Sequence, residues 1–428
     1  MRTLKLTILA LALASAFPNQ AADLNAKPAG MTPEQLADFN RIAVKVEALE
    51  DTRESSGFSD IKISGWADIN YVYNSNKERA SFQFLVPVGK EPYNYDNSYM
   101  GMVALDLQKE MDGGTRFRLT LIPERSNTDV MGEFGIVHEA SVSVPLGGED
   151  TRLIAGAIPD WMGYEYLPPT QTKLISHNLL FDFTTPAAYL GAGLELSRGK
   201  WLIKAMIANI DVSVRKVGEY VPALVYRGDY TGGEFWGLGF AGLHGKMVNF
   251  ASVDGKDTWA DTVELDGWYT RGDLSLFGHA VWGRQKQAAI ATDAIGIPLD
   301  SEWVGVSVMA AYKVTPRLEG VLRGDYIYNQ KNGGGLLEFP FADPVNGIGP
   351  DQSGDPAADP TKGADRYAVT AGLNYALNSN TTLKAEYRYD GATQKVFGNK
   401  ALLLDPADPN AKYLKSNSLI STGLVVFF

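Results

Sequence analysis

Cysteine is absent from the 428 residues, which excludes disulfides, thiolate metal sites and a lipid-modified cysteine at a processed N-terminus. Long apolar runs are missing too. Beyond the first twenty residues nothing approaches the 18 or more apolar residues of a membrane-spanning helix, so a helical membrane protein is excluded. Bases are outnumbered, 39 Lys and Arg against 50 Asp and Glu, for a formal charge of −11, and no basic stripe stands out; a nucleic-acid partner is not expected. Only four histidines occur, none at metal-ligand spacing from another. In contrast, 44 glycines, 20 tyrosines and an aromatic content of 11% point to many turns and strands.

The first 22 residues read as an export signal: Arg2 and Lys5, an apolar stretch from Leu6 to Ala16, then Pro18 and small residues. Cleavage after Ala16 or after Ala21 or Ala22 removes both bases and takes the charge to −13. Residues 23–56 hold one amphipathic helix. Thr32 is its N-cap, Pro33 its first-turn residue and Gln35 its capping-box partner. Leu36, Phe39, Ile42, Val46 and Leu49 form one apolar stripe over about 33 Å. That stripe suits either a short coiled coil with copies of itself or a helix packed on its own chain.

From Ile61 the period becomes two. Ile61, Ile63, Gly65, Ala67, Ile69 and Tyr71 alternate with Lys62, Ser64, Trp66, Asp68 and Asn70, and residues 116–121 and 383–390 repeat the pattern. The polar face of one strand often carries three or four charges, which fits apolar faces toward lipid and polar faces toward a wet lumen. Short turns (111–114, 147–149, 197–200, 244–245, 271–273, 315–316, 378–380) alternate with longer connections (75–95, 124–135, 159–186, 212–233, 285–300, 330–364, 391–415). The tight Gly255-Lys256-Asp257 is the exception. The expected fold is all-β: a transmembrane antiparallel barrel over 57–428 behind a short periplasmic helix. Its sixteen strands are 61–74, 97–109, 115–123, 136–144, 151–158, 187–197, 200–211, 234–243, 246–254, 258–270, 273–284, 301–313, 317–329, 365–376, 381–390 and 416–428. Aromatics near strand ends read as interfacial girdles, and the alternating last strand ends on Phe428, resembling the signal read by the barrel assembly machinery.

Motifs of soluble chemistry find no support. Gly237 to Gly242 matches G-x-G-x-x-G, but a turn and a strand follow where a dinucleotide site needs a helix. Arg-Gly-Asp occurs at 227–229, 271–273 and 323–325; the second fits a tight turn and the third sits inside a strand, so adhesion ligands are not expected. For a barrel enzyme the local candidates are His138 with Ser141 and His177 with Asp182; the acidic tract Asp343, Asp351, Asp355, Asp359 and Asp365 is a weak Ca²⁺ candidate.

The segments FQFL (82–85), YDNSY (95–99), HEASVSVPL (138–146), RLIAGAIPDWMGYEY (152–166) and HNLLFDFT (177–184) resemble an uncharacterised proteobacterial porin-like family whose members carry a signal peptide, a heptad-bearing helix and a barrel. The resemblance implies the outer membrane of a Gram-negative cell, contacts with outer-membrane lipid and the barrel assembly machinery, passage of small hydrophilic solutes, and the homotrimer and inward-folded third loop of the better-known porins. The acidic signature of that loop is absent here.

No enzyme activity, cofactor or metal is expected. Inward-pointing bases are Lys62, Arg116, Arg118, Lys204, Arg323, Lys384 and Arg388; inward acids are Asp68, Asp106, Glu139, Glu195, Glu264, Asp266, Glu319, Asp325 and Glu386. Among these, Arg116, Arg118, Lys204, Glu264, Asp266, Arg323, Lys384, Glu386 and Arg388 are the chosen pore-lining residues. Asp160, Trp161, Tyr164 and Glu165 are the chosen constriction. The alternatives are a barrel enzyme acting on lipid or peptide, and a soluble secreted protein that binds carbohydrate through its tyrosines.

Overall fold

The computed structural model describes residues 41–42, 44–45, 61–85, 93–97, 99–123, 136–148, 150–211, 217–220, 223–251 and 256–428. Two units are distinguished, Met1–Asp60 and Ile61–Phe428. In the first, residues 41–42 and 44–45 are helical, and the export signal and the rest of the expected helix lie outside the described residues.

The second unit is a closed antiparallel barrel. Its strands are β1 (Ile61–Asn74), β2 (Arg79–Gln83), β3 (Val103–Glu110), β4 (Arg116–Leu121), β5 (Val137–Pro145), β6 (Thr151–Pro159), β7 (Ala188–Arg198), β8 (Trp201–Ile210), β9 (Ala223–Thr231), β10 (Trp236–Met247), β11 (Thr258–Arg271), β12 (Leu274–Gln285), β13 (Ser301–Lys313), β14 (Leu318–Tyr328), β15 (Arg366–Asn378) and β16 (Thr381–Ala392). A two-stranded ribbon, β17 (Phe397–Gly398) and β18 (Tyr413–Leu414), precedes the last barrel strand, β19 (Ser416–Phe427). From β3 to β16 each strand pairs with the next, β16 pairs with β19, and β19 pairs with β1 from Trp66↔Phe427 to Asn74↔Leu419, which closes the ring. The lower half of β1 pairs with β3 and its upper half with β2, so β2 and β3 share one of sixteen positions.

Three expectations are corrected. The connection 212–233 contains β9, which pairs with β8 and β10. His244-Gly245 is no turn: both lie inside β10, opposite Asp261 and Ala260 of β11. Of the expected strand 246–254, residues 246–247 end β10, 248–251 lie beyond it outside any strand, and 252–254 lie outside the described residues; with the next strand beginning at Thr258, short and long connections alternate strictly. The total of sixteen stands because the gain and the loss cancel. The third correction is the second strand. Its upper half is a tight hairpin back from β1, and the wall position is completed by β3, which begins only at Val103. Gly65 and Phe428 exchange backbone hydrogen bonds of 3.2 and 3.0 Å at the seam.

Burial is inverted relative to a soluble core. Leu265 is 65% exposed, Val308 62% and Leu322 58%, while Arg323, Arg388, Thr370 and Ser307 are fully buried. Apolar side chains form the outer face of the wall, as a hydrocarbon solvent requires, and polar ones point inward. No helix of the described residues is long and apolar enough to cross a membrane; strands do the crossing. At the long-loop end, residues 93–97 bond to the connection 329–365 and to β19, and the connections 329–365 and 393–415 bond to each other. Asn346 donates to the Tyr93 carbonyl at 2.7 Å, Asn417 to the Tyr95 hydroxyl at 2.6 Å, and the Gly398 amide to the Pro344 carbonyl at 2.8 Å.

Candidate functional site

The third long connection, 160–187, turns into the barrel. Irregular backbone at membrane depth has no bulk water to satisfy it, so its amides and carbonyls need partners from the wall. The inward charges supply them. Arg227 donates to the Trp161 carbonyl at 2.8 Å, and Lys384 to the carbonyls of Pro169 and Thr172 at 2.8 and 2.7 Å. Arg323 reaches the carbonyls of Ser176 and His177 at 2.8 and 2.7 Å, and Arg388 reaches His177 at 2.8 Å. Acids take the amides: Glu264 that of Gly163, and Glu386 those of Ile175 and Ser176 at 2.6 and 3.1 Å. Gly163 has φ +76°, and a Cβ there would meet the His279 ring at 2.8 Å, so this close approach to Glu264 and His279 requires glycine.

Within the loop a short helix, α1 (Leu179–Thr184), starts at Asn178, whose side chain accepts from the Phe181 amide at 2.8 Å. Its neighbour His177 stacks on Phe181 at 4.1 Å and 15°, with burial lowering its pKa to about 3. Asp182 accepts from Tyr93 at 2.6 Å and, despite the nearby Arg388, is pushed up to about 7 by burial.

The loop occupies the side of the lumen bounded by β9 to β16. Along the opposite wall runs a cavity of about 650 Å³, from Ser64 and Phe428 at the short-turn end to Glu338 and Phe339 of the connection 329–365. A second, of about 490 Å³, adjoins it at the short-turn end, and both are lined by Gln108, Arg118, Glu139, Ile158, Trp161 and Lys204. Arg118 bridges Asp106 at 2.9 Å and Glu139 at 3.2 Å; Lys204 lies 3.6 Å from Glu195 and 5.9 Å above the Trp161 ring.

The residues chosen from sequence thus separate into two groups. Arg116, Arg118 and Lys204 border the open cavities. Glu264, Asp266, Arg323, Lys384, Glu386 and Arg388 also point inward, but the loop covers them: Asp266 holds Arg227 at 2.8 Å, and the other five bond to the loop itself. Of the constriction residues, Asp160 and Trp161 border the cavity. Tyr164 faces the other wall, bonded to Ser307 at 2.7 Å, and Glu165 pairs with Arg323 at 2.9 Å.

Sequence reasoning missed Arg227, Tyr166 and the cap residues Tyr93, Glu338 and Phe339. The alternation Val225, Arg227, Asp229 against Leu224, Tyr226, Tyr230 carried the signal for the first. The catalytic candidates do not assemble: Ser141 donates to Glu139 at 2.7 Å, and His177 Nε2 bonds to the Tyr166 carbonyl at 3.2 Å. Four of the five tract aspartates cap their own turns, Asp365 binds Tyr326 and Gln330, and among the described residues no acidic or histidine group is placed to hold a metal ion.

No curated protein matches the sequence. Among solved structures the barrel is similar to OmpT, an outer membrane protein of Vibrio cholerae (13% identity, covering 86% of this chain and 97% of that one, TM-score 0.53), also solved in a trimer form. It is similar as well to an anion-selective porin from Comamonas acidovorans (13%, 86% and 99%, TM-score 0.52) and to Salmonella typhi OmpF in complex with daunomycin (11%, 86% and 97%, TM-score 0.51). At these identities the likeness shows the fold. The family model described as "Putative beta-barrel porin-2, OmpL-like" matches residues 60–428, all of the barrel, and the chain belongs to that family of Gram-negative outer-membrane porins.

Proposed function

We propose that the chain is a passive, non-enzymatic pore for small hydrophilic solutes, in which the loop 160–187 narrows the lumen and the wall beside it filters what passes. One observation carries this reading: the loop is bonded to one side of the barrel while water-accessible space remains along the other. In that space Arg118 stands between Asp106 and Glu139, with Lys204 and Trp161 across the gap. The second cavity is richer in bases (Lys62, Lys109, Arg116, Arg118 and Lys204) than in acids (Glu110, Glu139 and Glu195), so entry from the short-turn end favours anions. Asp160 and Trp161 are the proposed constriction. Glu264, Asp266, Arg323, Lys384, Glu386 and Arg388 act on permeation through the loop they hold. The barrel assembly machinery and outer-membrane lipid are proposed partners, and association as a homotrimer is proposed by analogy with the Vibrio structure.

Reversal potentials in planar bilayers under a KCl gradient test the filter. Replacing Arg116→Ser and Arg118→Ser together shifts permeability toward cations by about twofold or more, because two of the five bases are removed beside unchanged acids. Unchanged conductance and selectivity would overturn the assignment.

A further inference from the structure

One contact at the outer end of the lumen joins two acids. Asp211 directly follows β8, and its Oδ1 accepts the amides of Ala187 and Ala188 at 2.7 and 2.8 Å, where the inserted loop rejoins the wall. Its other oxygen, Oδ2, is buried without a donor, and so is Oε1 of Glu338. The Glu338 carboxyl meets that of Asp211, and two carboxyls in contact can hydrogen-bond only through a shared proton. Glu338 sits at the tip of the connection 329–365, in a turn closed by reciprocal Leu336–Phe339 backbone bonds of 3.1 and 3.0 Å. Both acids have left-handed backbone, φ +54° at Asp211 and +66° at Glu338; aspartate visits that region readily, whereas glutamate there needs support from its surroundings.

The tip is a ceiling: Glu338 and Phe339 line the end of the main cavity, with Leu336 and Leu337 buried behind them. We propose that Asp211 and Glu338 form a proton-dependent latch that holds this tip across the outer end of the lumen and releases it as pH rises. The proposal rests on the pore reading. Asp211 is the fixed half, since two wall amides hold it; Glu338, on the loop, is the half that moves.

Among the described residues no cation bonds to Asp211 or Glu338, although Arg118 and Lys204 line the same cavity and Arg388 lies 3.7 Å from Asp182. Asp160 and Tyr189 are the titratable groups beside Asp211, bonded to each other at 2.5 Å, and Asp182 and Tyr93 line the same cavity as Glu338. Burial pushes both latch carboxyls above the ordinary carboxylate range; the charge of Asp211 and the bond to it raise Glu338 further, while the bond from Glu338 pulls Asp211 partly back down. The latched form therefore holds protons that a solvated, released tip gives up. The sign follows: latching is favoured at low pH, and each proton lost on release shifts the balance toward the open tip by about tenfold per pH unit.

Bilayer recordings of the full chain from pH 5 to 9.5 test this. Wild-type conductance rises at least twofold with pH, whereas Glu338→Gln, whose amide donates to Asp211 without titrating, stays at the low value throughout. Identical pH curves would overturn the latch. A second measurement needs no conductance. Leu337→Cys introduces the one thiol in the chain, and its maleimide modification is compared with that of Leu337→Cys carrying Glu338→Gln, which cancels the thiol's own titration. The ratio of the two rates rises at least tenfold from pH 6 to pH 9; a constant ratio overturns the latch. If reconstituted barrels conduct in no variant at any pH, the pore reading fails and the labelling ratio alone decides the latch.

Discussion

At the scale of single residues, the lumen shows charges used as backbone partners. Arg323 illustrates the balance: fully buried, it satisfies Glu165, Asp325 and two loop carbonyls at once. Removing one member of such a set leaves an uncompensated buried charge, at a cost of about 3–5 kcal/mol. His177 contributes differently, since its ring is stacked and neutral. Its folded pKa of about 3 lies below the ordinary 6.5, so protonation favours the undocked loop. Docking is fully supported above pH 6.5 and weakens as pH falls toward 3, by about 3–5 kcal/mol in all. Between pH 7 and pH 4, the temperature at which the folded gel band disappears should fall further for wild type than for His177→Phe, which keeps the stacking and does not titrate. Equal falls would show that another group senses acid.

At the scale of elements, the sequence's two-residue period was legible wherever a strand kept one polar and one apolar face. β1 and β16 are examples, and both appear close to their expected limits. It failed where glycine blurred the alternation. β10 reads Gly-Leu-Gly-Phe-Ala-Gly-Leu-His-Gly, with no charge on its inward side, so His244-Gly245 resembled a turn. It failed again where a strand position is built from two pieces, β2 and β3, because pairing across a gap of 19 residues leaves no local pattern. The inward set was readable from alternation, but the division between residues that face water and residues that hold the loop was not. That division depends on which wall the loop touches, a long-range contact. The element itself can be tested by excision. Replacing residues 164–178 with a short glycine linker removes the segment held by Lys384, Glu386 and Arg388 while leaving every strand pairing intact. Single-channel conductance should at least double with the barrel still folded on unheated gels. A shortened loop with unaltered conductance would mean that it does not obstruct the pore.

For the whole molecule, the same property that hid the membrane from the sequence now defines the fold. Apolar residues are spread as alternate positions over sixteen short spans, so no run is long, yet closure of the ring joins them into one continuous outer face. The ring leaves no unpaired edge, which explains how a chain without cysteine stays rigid outside the cell's reducing interior. A soluble β-protein with this sequence would have to expose that face to water; an outer-membrane barrel places it in hydrocarbon. Val308 separates the two situations. It is 62% exposed, near the middle of β13 and opposite Gly324. In a water-facing strand Val308→Arg would be mild. In hydrocarbon an arginine near the midplane costs about 2–4 kcal/mol. The folded fraction recovered in lipid vesicles should therefore drop by an order of magnitude or more for Val308→Arg, while Ser307→Arg would act instead through the inserted loop, because Ser307 points inward and holds Tyr164. If Val308→Arg folds into vesicles as well as wild type does, the outer face of β13 does not meet lipid.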